Sequence, residues 1–364
     1  MEIVITLSIG LLGALLLKLF KLPGAIMVGS ALFVALAQLI HFEARVPGSL
    51  RGLAQLISGM VIGLNIGKRD LLSIPRLWKG FFVLMIGFLI TNILVGFTIS
   101  ALTDIDPLTA YFGGVPGGIS FMPLLASEYG ADPAVVGVLG IFRLFAGVSI
   151  FPILVHKFNK KVSLLQANRS RVSGPEEANR ISRENLQAKE EEVQVADKQG
   201  APFLVFFIII SACALLARQL SDIFSIMVYS MLISIAFNLM IGVERPPLWS
   251  KRLAQWISGS YIGASFGMEK WMALSDLLLP ILILLCYYGL ACLFIGFMVN
   301  KVQKIPLEDG CFAAIPAGAS DIALITEELG IHNPTISIYH ALRASLVSSL
   351  FPLIILELIT AFYR

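Results

Sequence analysis

This chain repeats itself at an offset of 200 residues, without a gap, through two long blocks. Arg51-Gly-Leu-Ala-Gln-Leu-Ile-Ser-Gly59 lies over Lys251-Arg-Leu-Ala-Gln-Trp-Ile-Ser-Gly259, and from Ile26 to Gly67 the two copies match at 17 of 42 positions. In the second block Pro116, Gly118, Ser120, Leu124, Glu128, Gly130, Arg143 and Phe151-Pro152 recur as Pro316, Gly318, Ser320, Leu324, Glu328, Gly330, Arg343 and Phe351-Pro352. Leu and Ile matches arise between any two apolar helices. Gly, Pro and polar matches held in one register do not, so the chain is two copies of one unit.

Each unit is too apolar for water. Of 364 residues 57% are hydrophobic and 14% charged, against about 25% charged in a soluble domain. Lipid must cover most of the surface. The net charge of +3 points to no nucleic-acid partner, and the basic residues gather in short loops, where they orient a membrane protein. Cys213, Cys286, Cys292 and Cys311 form no CxxC pair and lie in or beside apolar segments, so they read as buried thiols. The apolar run after Met1 lacks a basic leader and recurs inside the chain, so it reads as a span rather than a cleaved signal.

Apolar helices are expected at 2–20, 23–41, 48–67, 80–102 and 134–156, and again at 202–220, 223–242, 249–267, 275–299 and 334–360. Most approach the ~20 residues that cross ~30 Å of hydrocarbon. Segments 107–130 and 307–330 are each split by Pro and Gly, as Gly113-Gly-Val-Pro-Gly-Gly118 and Ala313-Ala-Ile-Pro-Ala-Gly318. A break of this kind strands backbone groups that lipid cannot satisfy, so it must be buried in protein or line a wet cavity. If Lys157, Lys160 and Lys161 are cytoplasmic, a re-entrant hairpin at 107–130 puts Lys18, Lys21, Lys68, Arg69, Arg76 and Lys79 inside, with Asp104 and Asp106 outside. The same rule places Arg245, Lys251, Arg252, Lys301 and Lys304 inside. The rival, a full crossing by the broken segment, would put the 68–79 cluster outside. The expectation is an all-α polytopic membrane protein of two homologous halves. Each half has five spanning helices plus one Pro/Gly-broken re-entrant segment, and the odd count makes the halves inverted repeats. Residues 1–158 form the first repeat, 159–200 a charged cytoplasmic linker and 201–364 the second repeat.

The chemistry-bearing residues cluster at the breaks. A short helix is expected after each one, with Ser120 and Ser320 in its first turn, and its free N–H groups favour anions. Ser120, Leu124 and Glu128 share one face. Counting back from the turn at Gly130-Ala-Asp-Pro133 sets Arg143 level with its break, and Arg343 level with Ser320 and Asp321, deep in the membrane. A buried arginine is costly and marks a binding site or an ion-paired staple, here Arg143 with Glu128 or Arg343 with Asp321. Phe121 replaces Asp321 in the first copy, which leaves Arg143 without an acid at its own level. Candidate anion-binding residues are therefore Pro116, Gly117, Gly118, Ser120, Arg143, Pro316, Gly318, Ser320 and Arg343. Asp321, Glu128 and Glu328 are candidate H⁺ or Na⁺ coupling sites. Gln55, Ser58, Gln255 and Ser258 sit at equivalent places in Gly-rich helices, where close packing competes with a pore-lining role. His332 and His340 read as loop and satisfied histidines, and no metal cluster or cofactor motif is present.

The block Pro116-Gly-Gly-Ile-Ser-Phe-Met122, with Gly130-Ala-Asp132 and then Phe142-Arg143-Leu144, resembles the AbrB-duplication family of membrane proteins. The resemblance covers essentially the whole chain outside the linker. The second copy departs from it, with Ala317 and Ala319 for Gly and Ile and Ile331-His332 for Ala-Asp. The resemblance implies a duplicated membrane protein and names no substrate. It also carries two labels, gene regulator and ammonia monooxygenase. An oxygenase needs a His or carboxylate cluster at ligand spacing, and a transcription factor needs a soluble basic module. The sequence offers neither outside the linker.

The functional expectation is a multi-pass protein of the cell inner (plasma) membrane and not an enzyme. It is expected to transport a small organic anion by alternating access, with H⁺ or Na⁺ as coupling ion; a homo-oligomer is compatible with this. The alternative is a membrane sensor that affects gene expression through the linker. An oxygenase ranks third.

Overall fold

The computed structural model describes residues 2–20, 24–40, 43–64, 68–167, 203–220, 226–243, 246–266, 274–318, 322, 325–326, 331 and 334–362. Ser320, Asp321, Glu328, His332 and nearly all of the linker lie outside these residues. The first half builds α1 (Glu2–Leu19), α2 (Ala25–Gln38), α3 (Gly48–Leu64), α4 (Lys68–Leu102), α5 (Pro107–Gly114) and α6 (Met122–Glu128). It closes with α7 (Pro133–Phe145), which passes through a π turn (Ala146–Ile150) into α8 (Phe151–Ala167). The second half follows the same order, with α9 (Phe203–Leu220), α10 (Ile226–Met240) and α11 (Leu248–Ala264). A 3-10 turn then leads into α12 (Leu278–Gln303), followed by α13 (Leu307–Ala313) and α14 (Pro334–Phe362).

The outer faces are apolar. Phe82, Ile86, Ile90, Leu94 and Phe97 form an exposed stripe along α4, and Leu278, Leu282, Leu290 and Phe294 form another along α12. Soluble proteins do not expose such continuous stripes, so this is an integral membrane protein. Glu2–Leu19, Leu77–Leu102, Pro133–Asn159 and Ser275–Gln303 are long and apolar enough to cross a bilayer, while α2, α3 and α10 are shorter. One expectation is corrected: the basic cluster from Lys68 to Lys79 is the start of α4 rather than a loop. Lys and Arg are good helix formers, so the helix continues past its apolar part.

The contacts between the halves are made twice, with partners exchanged. Gly59 of α3 sits so close to α10 that a Cβ would overlap the Met227 carbonyl and the Ser230 hydroxyl. Gly259 of α11 stands in the same relation to Met27 and Ser30 of α2. Helix ends are treated alike, since Gln38 Nε2 donates to Gly263 O and Ala264 O at 3.0 Å and Asn238 Nδ2 donates to Leu64 O at 3.0 Å. A pseudo-two-fold axis therefore relates the units. Its direction follows from α4 and α12, which occupy equivalent places and pack on each other. Gly80 faces Gln303, Gly87 faces Ile295, and Thr98 Oγ1 meets Tyr287 OH at 3.1 Å. Numbers rise along one helix as they fall along the other, so these two equivalent helices run antiparallel.

The broken segment of the first half is a hairpin. Asp106 caps α5 by accepting from Thr109 N at 2.9 Å, and Thr109 Oγ1 in turn accepts from Asp132 N at 2.8 Å. Phe112 stacks on Tyr129 with ring centroids 5.9 Å apart. The two ends of the segment thus lie side by side. Its second arm corrects another expectation. α6 begins at Met122, with Phe121 at the N-cap and Pro123 in the first turn. Ser120 lies in the turn before it, because Pro is suited to the start of a helix and fixes that start.

Most of the core lies in one cluster that draws on α4 to α8 and α12 to α14, including Phe88, Phe112, Leu139, Tyr288, Phe312 and Phe351. Helices α3, α9 and α10 have their own cluster around Met60, Phe206 and Ile210. Small apolar contacts join the two bodies, such as Ile262 with Ile119 and Leu124 with Ala54 and Ile257.

Candidate anion site at the helix breaks

The hairpin positions Arg143. Asp132 caps α7 by accepting from Ala134 N at 2.9 Å, so α5 and α7 start side by side and run parallel. Leu139 lies against Gly113. Arg143, ten residues into α7, has risen about 15 Å and meets the C-terminal end of α5. There Nη1 donates to Gly113 O at 3.3 Å and Nη2 to Gly117 O at 3.0 Å. The end of a helix exposes unpaired carbonyls and carries partial negative charge, which suits a cation. Arg343 is held at its own break in a related way, with Nη2 donating to Ala317 O, the equivalent of Gly117, and Nη1 to Ile315 O at 2.7 Å, two residues beyond the equivalent of Gly113.

Other side chains satisfy the remaining carbonyls of the breaks. Tyr288 OH donates to Gly114 O and Asn92 Nδ2 to Tyr111 O at 2.9 Å. In the second copy Cys292 Sγ lies 3.9 Å from Cys311 O, the place equivalent to Asn92 and Tyr111. His340 Nε2 lies 3.0 Å from Phe312 O and must carry the proton, because a carbonyl only accepts. His340 is the satisfied histidine expected, at that ring nitrogen.

Both arginines are buried, at 2% and 4% exposure. Among the described residues the ion pairs join Arg45 to Glu2 and Glu43, and His156 to Glu308. Neither buried guanidinium takes part. The suggested Arg143–Glu128 staple is not formed; Glu128 accepts instead from Gln55 Nε2 at 3.3 Å. In the Arg343–Asp321 reading the acid falls outside the described residues. Aromatic rings fill the space at the axis. Arg343 lies 5.1 Å from the centre of the Phe88 ring, and Phe88 lies 6.3 Å from its equivalent, Tyr288. The second break also touches the first half, because a Cβ on Gly147, in the π turn after Arg143, would press on Ala317. Each guanidinium has five donors and gives two to carbonyls. The others, in planar fork geometry, match a carboxylate or phosphate.

Pro116 and Pro316 are buried, while Gly117, Gly118, Ser120 and Gly318 are half-buried around them. Gln55 ties α3 to α6 by donating to Leu124 O at 3.2 Å. Ser58 and Ser258 are buried, with Ser258 Oγ unpartnered among the described residues, and Gln255 is half-buried. Among the described residues no three His, Cys, Asp or Glu could share a metal. Cys292 and Cys311 are buried thiols, Cys213 is half-buried, and Cys286 is exposed on the apolar face. Sequence reasoning missed Phe88, Tyr288 and Asn92. Two signals were available for them: an Asn inside an apolar span, and an aromatic at equivalent places 88 and 288 in both copies.

Comparison with known proteins adds the family. The signature of the family described as "Transition state regulatory protein AbrB" matches twice, over residues 1–159 and 172–357. "Uncharacterized protein YhjN" of Bacillus subtilis (strain 168) is 30% identical over 100 residues, 26% of each chain. "Putative regulator AbrB" of Escherichia coli (strain K12) is 25% identical over 146 residues, 40% of each chain. The aligned regions thus span well under half the length of these relatives. The two family matches fall one on each homologous half, and this chain belongs to the AbrB family.

Proposed function

We propose that the protein is a secondary transporter of a small organic anion, not an enzyme, in the cell inner (plasma) membrane. In this reading each half contributes five crossings and one re-entrant hairpin, and the anion binds where the hairpins converge. The observation that carries it is a pair of buried guanidinium groups, equivalent under the two-fold, with no carboxylate partner among the described residues. A buried unpaired charge is expensive and is kept where a ligand completes it. Inverted halves give alternating access a physical basis, because exchanging their conformations converts an inward-facing site into an outward-facing one. Glu128 is the described candidate for H⁺ or Na⁺ coupling, since its bond to Gln55 links the hairpin to α3. The test is uptake into proteoliposomes across a panel of organic anions, with and without H⁺ or Na⁺ gradients. Arg143→Lys and Arg343→Lys should each cut uptake at least tenfold. Wild-type rates in both would sink the anion site.

The family's description and the name of the E. coli relative favour a second reading, a membrane sensor acting on gene expression through residues 159–200. Deleting much of that linker separates the two: a transporter keeps its flux, and a sensor loses its output.

A further inference from the structure

The site has two claws rather than one. Each consists of a buried arginine clamped to two carbonyls of its own break, with Gly117 and Ala317 as the equivalent anchors. Phe88 and Tyr288 lie between them at the axis, 6.3 Å apart, with Arg343 against the Phe88 face and the Tyr288 hydroxyl on the Gly114 carbonyl next to Arg143's anchor. Bonds to carbonyls orient the guanidiniums but do not cancel their charge. An anion with one charge would engage one claw and leave the other buried with no carboxylate partner among the described residues. A planar guanidinium also pairs best with one carboxylate at a time, through two parallel N–H···O bonds. We propose that the ligand is a two-ended dianion, a short dicarboxylate with one carboxylate for Arg143 and the other for Arg343. This rests on the anion-site reading above.

The test compares chain-matched acids on the full-length protein in proteoliposomes, succinate with butyrate and glutarate with valerate, under whichever gradient drives uptake. Losing one partner of a desolvated charge pair costs at least 2 kcal/mol, so each dicarboxylate should be favoured about 30-fold or more in kcat/KM. Arg143→Gln and Arg343→Gln each remove one charge while keeping donors for the carbonyls. Either should bring the ratio towards unity by weakening the dicarboxylate, and thermal unfolding in detergent checks that the variant is folded. The wild-type comparison needs no variant, so misfolding of either one leaves the proposal exposed to refutation. Equal handling of succinate and butyrate by the wild type would overturn the two-claw reading and leave the anion site standing. Preference for inorganic phosphate over both would also overturn it, since that dianion has one end. Failure of every anion to move or bind would bring down the anion site itself.

Discussion

Tyr288→Phe removes one oxygen atom and tests whether side chains hold the break open. The ring of Tyr288 is fully buried, and its hydroxyl donates to the Gly114 carbonyl at the end of α5. Phe fills the same space without overpacking, so the change isolates the orphaned carbonyl. A buried acceptor deprived of its donor costs about 1–3 kcal/mol. At 2–4 °C per kcal/mol for a sizeable domain, the melting temperature should fall by about 2–12 °C. Tyr287→Phe is the internal control. It lies next in the chain, is half-buried, and shares its hydroxyl with Thr98 Oγ1 at 3.1 Å. An exposed or shared bond of that kind is worth less, so its melting temperature should stay within about 2 °C of wild type. Unfolding in detergent at one scan rate can be followed with a fluorogenic maleimide, because Cys292 and Cys311 become reactive only when the core opens. A Tyr288→Phe protein melting within a degree of wild type, or a control equally damaged, would show that the carbonyl finds another partner and that the break is not stapled as described.

The two-fold predicts matched damage at matched sites. Gly59→Ala and Gly259→Ala each force a Cβ against a backbone carbonyl, and both should lose about 1–3 kcal/mol in the same melting assay; a variant with wild-type stability would break the symmetry. Thr109→Val frees the Asp132 amide and should cost about 1 kcal/mol, with Thr109→Ser restoring it. No recovery with Ser would mean that shape, not the hydroxyl, closes the hairpin. Single cysteines at Asp106 and Gly130 should react with an impermeant maleimide from the same side of sealed vesicles, and opposite sides would refute the re-entrant segment.

The duplication was legible because it left matched polar and glycine positions, and the structure turns those matches into contacts. Gly59 and Gly259 are equivalent in sequence and make equivalent approaches to α10 and α2. Inverted halves were expected by a different route, from where lysines and arginines gather, and α4 and α12 pack antiparallel. The arginines were found, but not what they hold. A sequence displays side chains, so the partners considered for Arg143 were an acid or a ligand. The partners it has are the carbonyls of Gly113 and Gly117, which every residue possesses and no sequence pattern marks. Asn92 and Tyr288 escaped for the same reason, because their targets are backbone atoms on another helix.

Those targets also change the question asked of the arginines. A staple made with a carboxylate would neutralise the guanidinium and leave nothing for an anion to recognise, so staple and binding site were competing readings. A staple made with carbonyls uses two of five donors and leaves the full charge in place. The bonds that fix the fork at the end of α5 also preorganise it, and a fork held in place loses less entropy when a carboxylate arrives. Stapling the break and presenting a charge are therefore one arrangement, which the two-fold supplies twice.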